Sequence, residues 1–263
     1  MITSSSNSQI KNMIQLKKKP KERTRQDLFL VEGIKMFLEA PKDRIGKVYV
    51  SAGFYGDRHH QEQLKGYDYE VVSDSVFESI CDTRTPQGII CAVKQFHYKE
   101  EDLFGQKGQH PLCMVLENLQ DPGNLGTILR TAEGAGVTGI LMSRDTVDIF
   151  NPKTIRSTMG SVYRVPFLYV EDICETVREL KNKGICTYAA HLKGTGSYDE
   201  QDYTKGTAFL IGNEGNGLTD QLADLADTYI RIPMYGQLES LNAAVASAVL
   251  MYETQRQRRK NGK

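Results

Sequence analysis

The sequence predicts an α/β protein whose larger part is a parallel sheet with helices on both faces. From residue 111 onward, short apolar strands alternate with helical stretches, the order expected of βαβ units. The strands are almost continuously apolar, as strands buried on both faces are. Ahead of residue 96, shorter Val-, Ile- and Tyr-rich runs with partial alternation make a second, smaller α/β unit.

In chain order, the first ~25 residues read as a basic helix or arm. "LFLVEGIKMFLEA" (28–40) is a strand leading into an amphipathic helix. "IGKVYVSA", "YEVVSD" and "GIICAVK" are short strands, and "DSVFESICD" is a helix between them. The small unit therefore covers 1–95. "FHYKEEDLFGQKGQH" (96–110), polar and glycine-bearing, reads as a linker to a domain at 111–263. Strands in that domain are predicted at 112–117, 139–143, 186–190, 208–212 and 229–233. Helices are predicted at 124–134, 152–160, 171–184, 219–226 and 240–258. Ligands of such sheets bind beyond the carboxyl ends of the strands, so the loops after each strand are where site residues are expected.

Composition excludes several classes. No apolar run approaches the roughly 18 residues needed to span a bilayer, and the start lacks the apolar core of a secretory signal. Five cysteines, none at C-x-x-C spacing, argue against a zinc knuckle or disulfide framework and for a reducing, cytoplasmic setting. No metal-binding motif appears, and the histidines, His59 and His60 among them, read as surface or loop residues. Net charge is zero but uneven. Residues 1–26 sum to +6, residues 253–263 to +4, and the middle to −10. Basic ends on an acidic body suit a polyanion partner, although frayed, solvated termini would look the same.

Four stretches carry candidate chemistry. Gly134, Gly136 and Gly139 spell G-x-G-x-x-G, but the spacing closes a helix and leads into a strand. A dinucleotide loop does the reverse, so these read as caps and a tight turn. "ENLQDPGNLGTILRTAEGAG" (117–136) turns at Asp121-Pro122-Gly123, with Asn124 as a candidate cap. Leu125, Ile128, Leu129 and Ala132 share a helical face, and Arg130 points away from it. "FLIGNEGNGL" (209–218) breaks from a strand into a glycine-rich turn. It has no lysine and ends in no G-K-[ST], so it is not a phosphate loop. Its Glu214 would repel a triphosphate and suits a cofactor with amino, hydroxyl or sulfonium groups. "IRIPMYGQLESLNAAVASAVLMYE" (230–253) ends a strand at Ile232-Pro233-Met234. Ser240 is a candidate N-cap for a final helix of small residues, and Asn242 lies in its first turn. A further stretch, "NPKTIRSTMGSVYRVP" (151–166), with Lys153, Arg156 and Arg164, reads as an RNA surface, a subunit contact or an ordinary mixed helix.

"NLQDPGNLGTILRTA", "FLIGNEGNGL" and "IPMYGQLESLNAAVASAVLMYE", in that order, resemble the three signature motifs of the SpoU/TrmH family, the ribose 2′-O-methyltransferases of the SPOUT superfamily. The resemblance covers 111–255. "FLVEG" (29–33) and "TPQGIICAV" (85–93) resemble that family's L30e-like RNA substrate-binding domain. The resemblance implies a C-terminal deep trefoil knot, which ordinary topology rules would not produce. It also implies S-adenosylmethionine as cofactor and a homodimer. Carried over by position, Gly212, Ile232 and Leu241 would contact the cofactor through backbone, with Asn213, Met234 and Leu192 as neighbours. Arg130 matches the family's catalytic arginine, and Asn124, Glu214, Ser240 and Asn242 match its other polar motif positions. Lys17, Lys18, Lys19, Arg23 and Arg25 would grip RNA phosphates. The implied function is RNA 2′-O-ribose methylation, on 23S ribosomal RNA. A transfer RNA substrate and a non-catalytic RNA-binding factor of the same fold are the alternatives. A nicotinamide enzyme would rest on the Gly134 pattern alone.

Overall fold

In a computed structural model, which describes residues 1–194, 196–260 and 262, the chain packs as two units. The first is Met1–Phe96 with Asp148–Tyr163, and the second is His97–Val147 with Arg164–Lys263.

The first unit holds a four-stranded sheet of β1 (Leu28–Glu32), β2 (Ile45–Ser51), β3 (Tyr69–Val72) and β4 (Ile89–Lys94), in spatial order β1-β4-β2-β3. β4 runs antiparallel to both neighbours, and β2 and β3 are parallel. The N-terminal segment is not a free arm. Asn7 caps the helix Ser8–Lys18 by accepting from Gln9 N–H, and the helix buries Ile10, Met13 and Leu16 at i, i+3 and i+6. Those side chains pack with Leu30, Tyr49, Phe77 and Ile90. Phe29 points elsewhere, and its ring lies 4.8 Å from that of Phe150.

The division by packing thus differs from the division by composition at Asp148–Tyr163. Asp148 takes both Nε (2.9 Å) and Nη2 (2.6 Å) of the buried Arg23, Tyr163 Oη donates to the Met36 carbonyl at 3.0 Å, and Arg156 pairs with Asp82. Residues 97–110 also differ from a free linker. They form a short helical turn, Glu100–Phe104, whose Leu103 is fully buried in the core of the second unit.

The second unit is a seven-stranded, all-parallel sheet. Its strands are β5 (Leu112–Leu116), β6 (Gly139–Ser143), β7 (Phe167–Val170), β8 (Cys186–Ala190), β9 (Gly196–Ser197), β10 (Thr207–Ile211) and β11 (Thr228–Arg231). Their order is β7-β6-β5-β10-β8-β11-β9. The short edge strands β7 and β9 escape apolar-run reading, β9 because two residues carry no pattern. Every residue of β5, β6 and β10 is buried, as the sequence predicted for strands covered on both faces. The helices Pro122–Gly134 and Ala243–Lys260 pack together, the latter also against β10, while Ile173–Asn182 packs on β8.

The connection from β8 to β10 carries β9 around the outer edge of β11. It passes so close that a Cβ on Gly194 would sit 2.7 Å from the Ile230 carbonyl carbon. The Gly134–Gly139 pattern is what its order suggested. Gly134 ends a helix, Gly136 has φ +65°, and Gly139 starts β6 hard against Leu103.

Candidate active site

An open cleft of about 530 Å³ lies beyond the carboxyl ends of β8, β10 and β11, where a parallel sheet holds ligands. Its wall includes all six positions carried over for the cofactor: Leu192, Gly212, Asn213, Ile232, Met234 and Leu241. Glu214, Ser240 and Asn242 line it too, whereas Asn124 and Arg130 do not.

The turn after β10 is built by backbone packing. A Cβ on Gly212 would lie 2.1 Å from both the Gly217 carbonyl carbon and the Leu218 nitrogen, so only glycine lets the chain close there. Asn213 and Gly217 exchange backbone hydrogen bonds, and Asn213 Oδ1 accepts from the amides of Gly215 (2.8 Å) and Asn216 (3.2 Å). Asn213 Nδ2 donates to the carbonyl of Asn118 at 2.8 Å. Asn118 sits at φ 54°, a conformation asparagine tolerates better than most residues, and Ser143 bonds both its amide and its side chain.

Three segments distant in sequence meet at one hydrogen-bonded chain. Asn242 Nδ2 donates to Asn124 Oδ1, and Asn124 Nδ2 donates to Glu214 Oε1, both at 3.0 Å. The Glu214 carboxylate also accepts from the backbone amides of Gln120 (3.1 Å) and Asp121 (3.0 Å). Partial burial pushes its pKa up, but these bonds, led by Asn124, outweigh that and hold it below the ordinary carboxylate value. Glu214 therefore ties the turn after β10 to the start of the helix Pro122–Gly134.

Capping differs from the sequence reading at both helices. Asp121, not Asn124, caps Pro122–Gly134, accepting from Asn124 N–H at 2.8 Å with Pro122 in the first turn. Asn242, not Ser240, caps Ala243–Lys260, accepting from Ala244 N–H at 2.9 Å. Capping by Asp121 and Asn242 leaves Asn124's side chain for the network and gives Asn242 a structural role at the start of the last helix. Ser240 is exposed and makes no hydrogen bond to the described residues.

Arg130 is exposed, and among the described residues nothing pairs with it. It stands six residues beyond Asn124, about 9 Å further along the helix axis.

Sequence reasoning missed Asn118, Ser143 and the pair Glu117–Thr219. Glu117, buried at the end of β5, accepts from Thr219 N (2.8 Å) and Oγ1 (2.7 Å) and so fixes the far end of the glycine turn. The signal for Glu117 was present: an ionisable residue closing an apolar strand needs a partner.

The basic residues are less available than their number suggests. Arg23 is 2% exposed and bound to Asp148 and to the carbonyls of Leu16 and Lys17, so it is no phosphate-facing group. Lys17 Nζ is engaged by the carbonyls of Ser79 and Cys81. Arg25 is exposed but paired with Glu22, and Lys18 and Lys19 are open to solvent. At the other end, Arg258 is buried and donates to four carbonyls, those of Tyr203, His110, Pro111 and Lys205. Lys263 lies outside the described residues. Among the described residues no group of three or more His, Cys, Asp or Glu is placed to hold a metal ion.

The chain thus combines a parallel sheet, a cleft at its carboxyl edge and a glycine turn braced by asparagines and a carboxylate. Residues 111–252 match the model of the SpoU rRNA Methylase family, and residues 7–91 match the MRM3-like substrate binding domain. The chain belongs to the SpoU rRNA methylase family. It is 34% identical to the 23S rRNA (guanosine(2553)-2′-O)-methyltransferase RlmP of Bacillus subtilis, over 95% of this chain and 97% of that protein. An AdoMet-bound rRNA methyltransferase from Sinorhizobium meliloti superposes with a TM-score of 0.83 at 31% identity, covering 97% of each chain. The SpoU methyltransferase AviRb of Streptomyces viridochromogenes, crystallised with AdoMet, shares the fold at 24% identity with a TM-score of 0.86, over 96% of this chain and 98% of that one.

Proposed function

We propose that the protein methylates a ribose 2′-hydroxyl of 23S ribosomal RNA, using S-adenosylmethionine. The observation that carries this is the convergence of all six cofactor positions on one cleft at the carboxyl edge of the sheet. The residues fit the cofactor. Gly212 lets the turn close on Gly217 and Leu218 at the cleft wall, that turn carries no lysine or arginine to repel a sulfonium, and the volume of about 530 Å³ suits an adenosine-sized ligand. When bound, the cofactor supplies a methyl group already activated on sulfur.

The protein's share is orientation. Gly212, Ile232 and Leu241 hold the cofactor through backbone, beside Asn213, Met234 and Leu192. Asn124, Glu214 and Asn242 lock the three loops that shape the site, and Ser240 offers a free hydroxyl to the incoming ribose. Arg130 engages the target's phosphate and ribose. As a permanent cation it lowers the cost of the developing alkoxide rather than serving as an ordinary base. Because it does not line the cleft of its own chain, we assign it to a site completed across a homodimer. Exposed Val245 and Tyr252, seven residues apart on the last helix, suit that interface. The placement of β9 outside β11 supports a knotted topology. Lys18, Lys19 and Arg25 remain as phosphate contacts, and a ribosomal substrate supports a cytoplasmic location. No described helix is long and apolar enough to cross a membrane.

Calorimetry with S-adenosylmethionine and mapping of ribose methylation in wild-type and gene-deleted cells test this reading. One missing 23S methyl group in the deletion is expected. A missing transfer RNA methyl group would move the substrate, and absence of cofactor binding would leave an RNA-binding factor without catalysis.

A further inference from the structure

The loop from β11 to the last helix lines the cleft at Ile232 and Met234, and again at Glu239, Ser240 and Leu241. Between those stretches it pushes a tip into solvent. At that tip Tyr235 is 99% exposed and Leu238 is 71% exposed. No other Phe or Tyr side chain among the described residues is so bare, Tyr252 coming next at 52%. Gly236 follows directly, and a Cβ there would meet nothing within 4 Å, so the tip is open at both the ring and the residue after it. Across the mouth, Leu192 is 60% exposed.

We propose that Tyr235 is a stacking platform for a nucleobase of the RNA substrate, the target base or its neighbour. The inference rests on the reading of the cleft as the methyl-transfer site. The 2′-hydroxyls of an RNA helix lie along its shallow groove, but a hydroxyl that must enter a cleft to meet its reagent gets there most readily on a nucleotide that has left the stack. The base then loses both stacking partners, and an exposed aromatic ring replaces one of them for any base. Tyr235 is one residue beyond Met234 of the cleft wall, so a base displaced with its ribose arrives within reach. The phenol supplies a flat face that the chain itself leaves uncovered.

The chain contains no tryptophan, so Tyr235→Trp creates a single fluorophore at the tip. An unmodified 23S ribosomal RNA transcript is expected to quench its emission. S-adenosylmethionine alone should leave it unchanged, and a Tyr252→Trp protein should respond to neither. Tyr235→Ala should raise KM for the transcript about ten-fold, equivalent to roughly 1.4 kcal/mol, the scale of one base–aromatic contact. Its Kd for S-adenosylmethionine should stay unchanged, and Tyr235→Phe should behave as wild type. Three results would overturn the proposal. One is no quenching by RNA in a protein that binds cofactor and methylates the transcript. Another is quenching by the cofactor alone. The third is a Tyr235→Ala protein with normal KM whose sedimentation shifts from dimer to monomer, which would make the ring a contact with a second copy. A wild-type protein that binds no cofactor would instead remove the reading on which the proposal rests.

Discussion

At the level of single residues, the same side-chain type takes opposite roles here. Arg130 stands exposed on a helix, while Arg23 and Arg258 are buried clamps on carbonyl groups. Charge counting could not separate them, because a guanidinium counts the same in solvent and in a cage of carbonyls. Replacing Arg130 by Ala is expected to lower kcat roughly 10²–10³-fold, as losing a transition-state charge contact does, with cofactor affinity by calorimetry unchanged. Equal loss of both would remove its assigned role. Glu214 gives a pH signature. Its carboxyl is held below the ordinary value of 4.5, so its contribution to stability is in place above that pH and disappears as pH falls through the lower folded value. The melting temperature of Glu214→Gln should therefore lie furthest below wild type at neutral pH, with the gap closing below about pH 4. Burial pushes the Cys91 thiol up to about 12 and Cys113 up to about 11. A thiol reagent should accordingly label the native protein slowly, starting with half-buried Cys186, and reach all five cysteines only after unfolding.

At the level of elements, the strands and helices around the site were readable, since apolar runs and 3.6-residue periodicity belong to the chain itself. The caps were misread by two or three residues, because Asn, Asp and Ser all satisfy the capping pattern and only the fold decides between them. The bonds joining Asn242, Asn124 and Glu214 were beyond the sequence reading, since they span 118 and 90 positions. Gly212 is the sharpest test of the glycine turn. Gly212→Ala must push the turn off the Gly217–Leu218 backbone, so loss of cofactor binding and about 1–3 kcal/mol of stability are expected. A denaturation curve and one titration measure both. Asn242→Ala removes a cap worth about 1 kcal/mol.

At the level of the whole molecule, composition divides the chain once, at 96–110, whereas packing also assigns Asp148–Tyr163 to the first unit. Nothing in the local pattern of 148–163 says which sheet it covers. A fragment beginning at residue 97 would strip Phe29 from Phe150 and Met36 from Tyr163, and leave Asp148 without Arg23. Such a fragment is expected to bind a hydrophobic dye and to melt well below the full chain in a thermal scan. An equal melting temperature would show that the segment repacks.

The position of β10 between β5 and β8 has a consequence for biosynthesis. As the chain leaves the ribosome, β5, β6 and β7 can pair in the order they appear, but the strand that must join β5 to β8 comes ninety residues after β5. Until then both sides of that gap are open backbone, the exposed edge that nascent chains most readily misuse. Loop closure over such separations is slow, and β11 and the last helix come later still. The cleft therefore has no partly built precursor on an incomplete chain. The cleft is complete only once the helix Ala243–Lys260 has been made, which makes the synthesis of β10, β11 and that helix the step where chaperone help or misfolding would be decided.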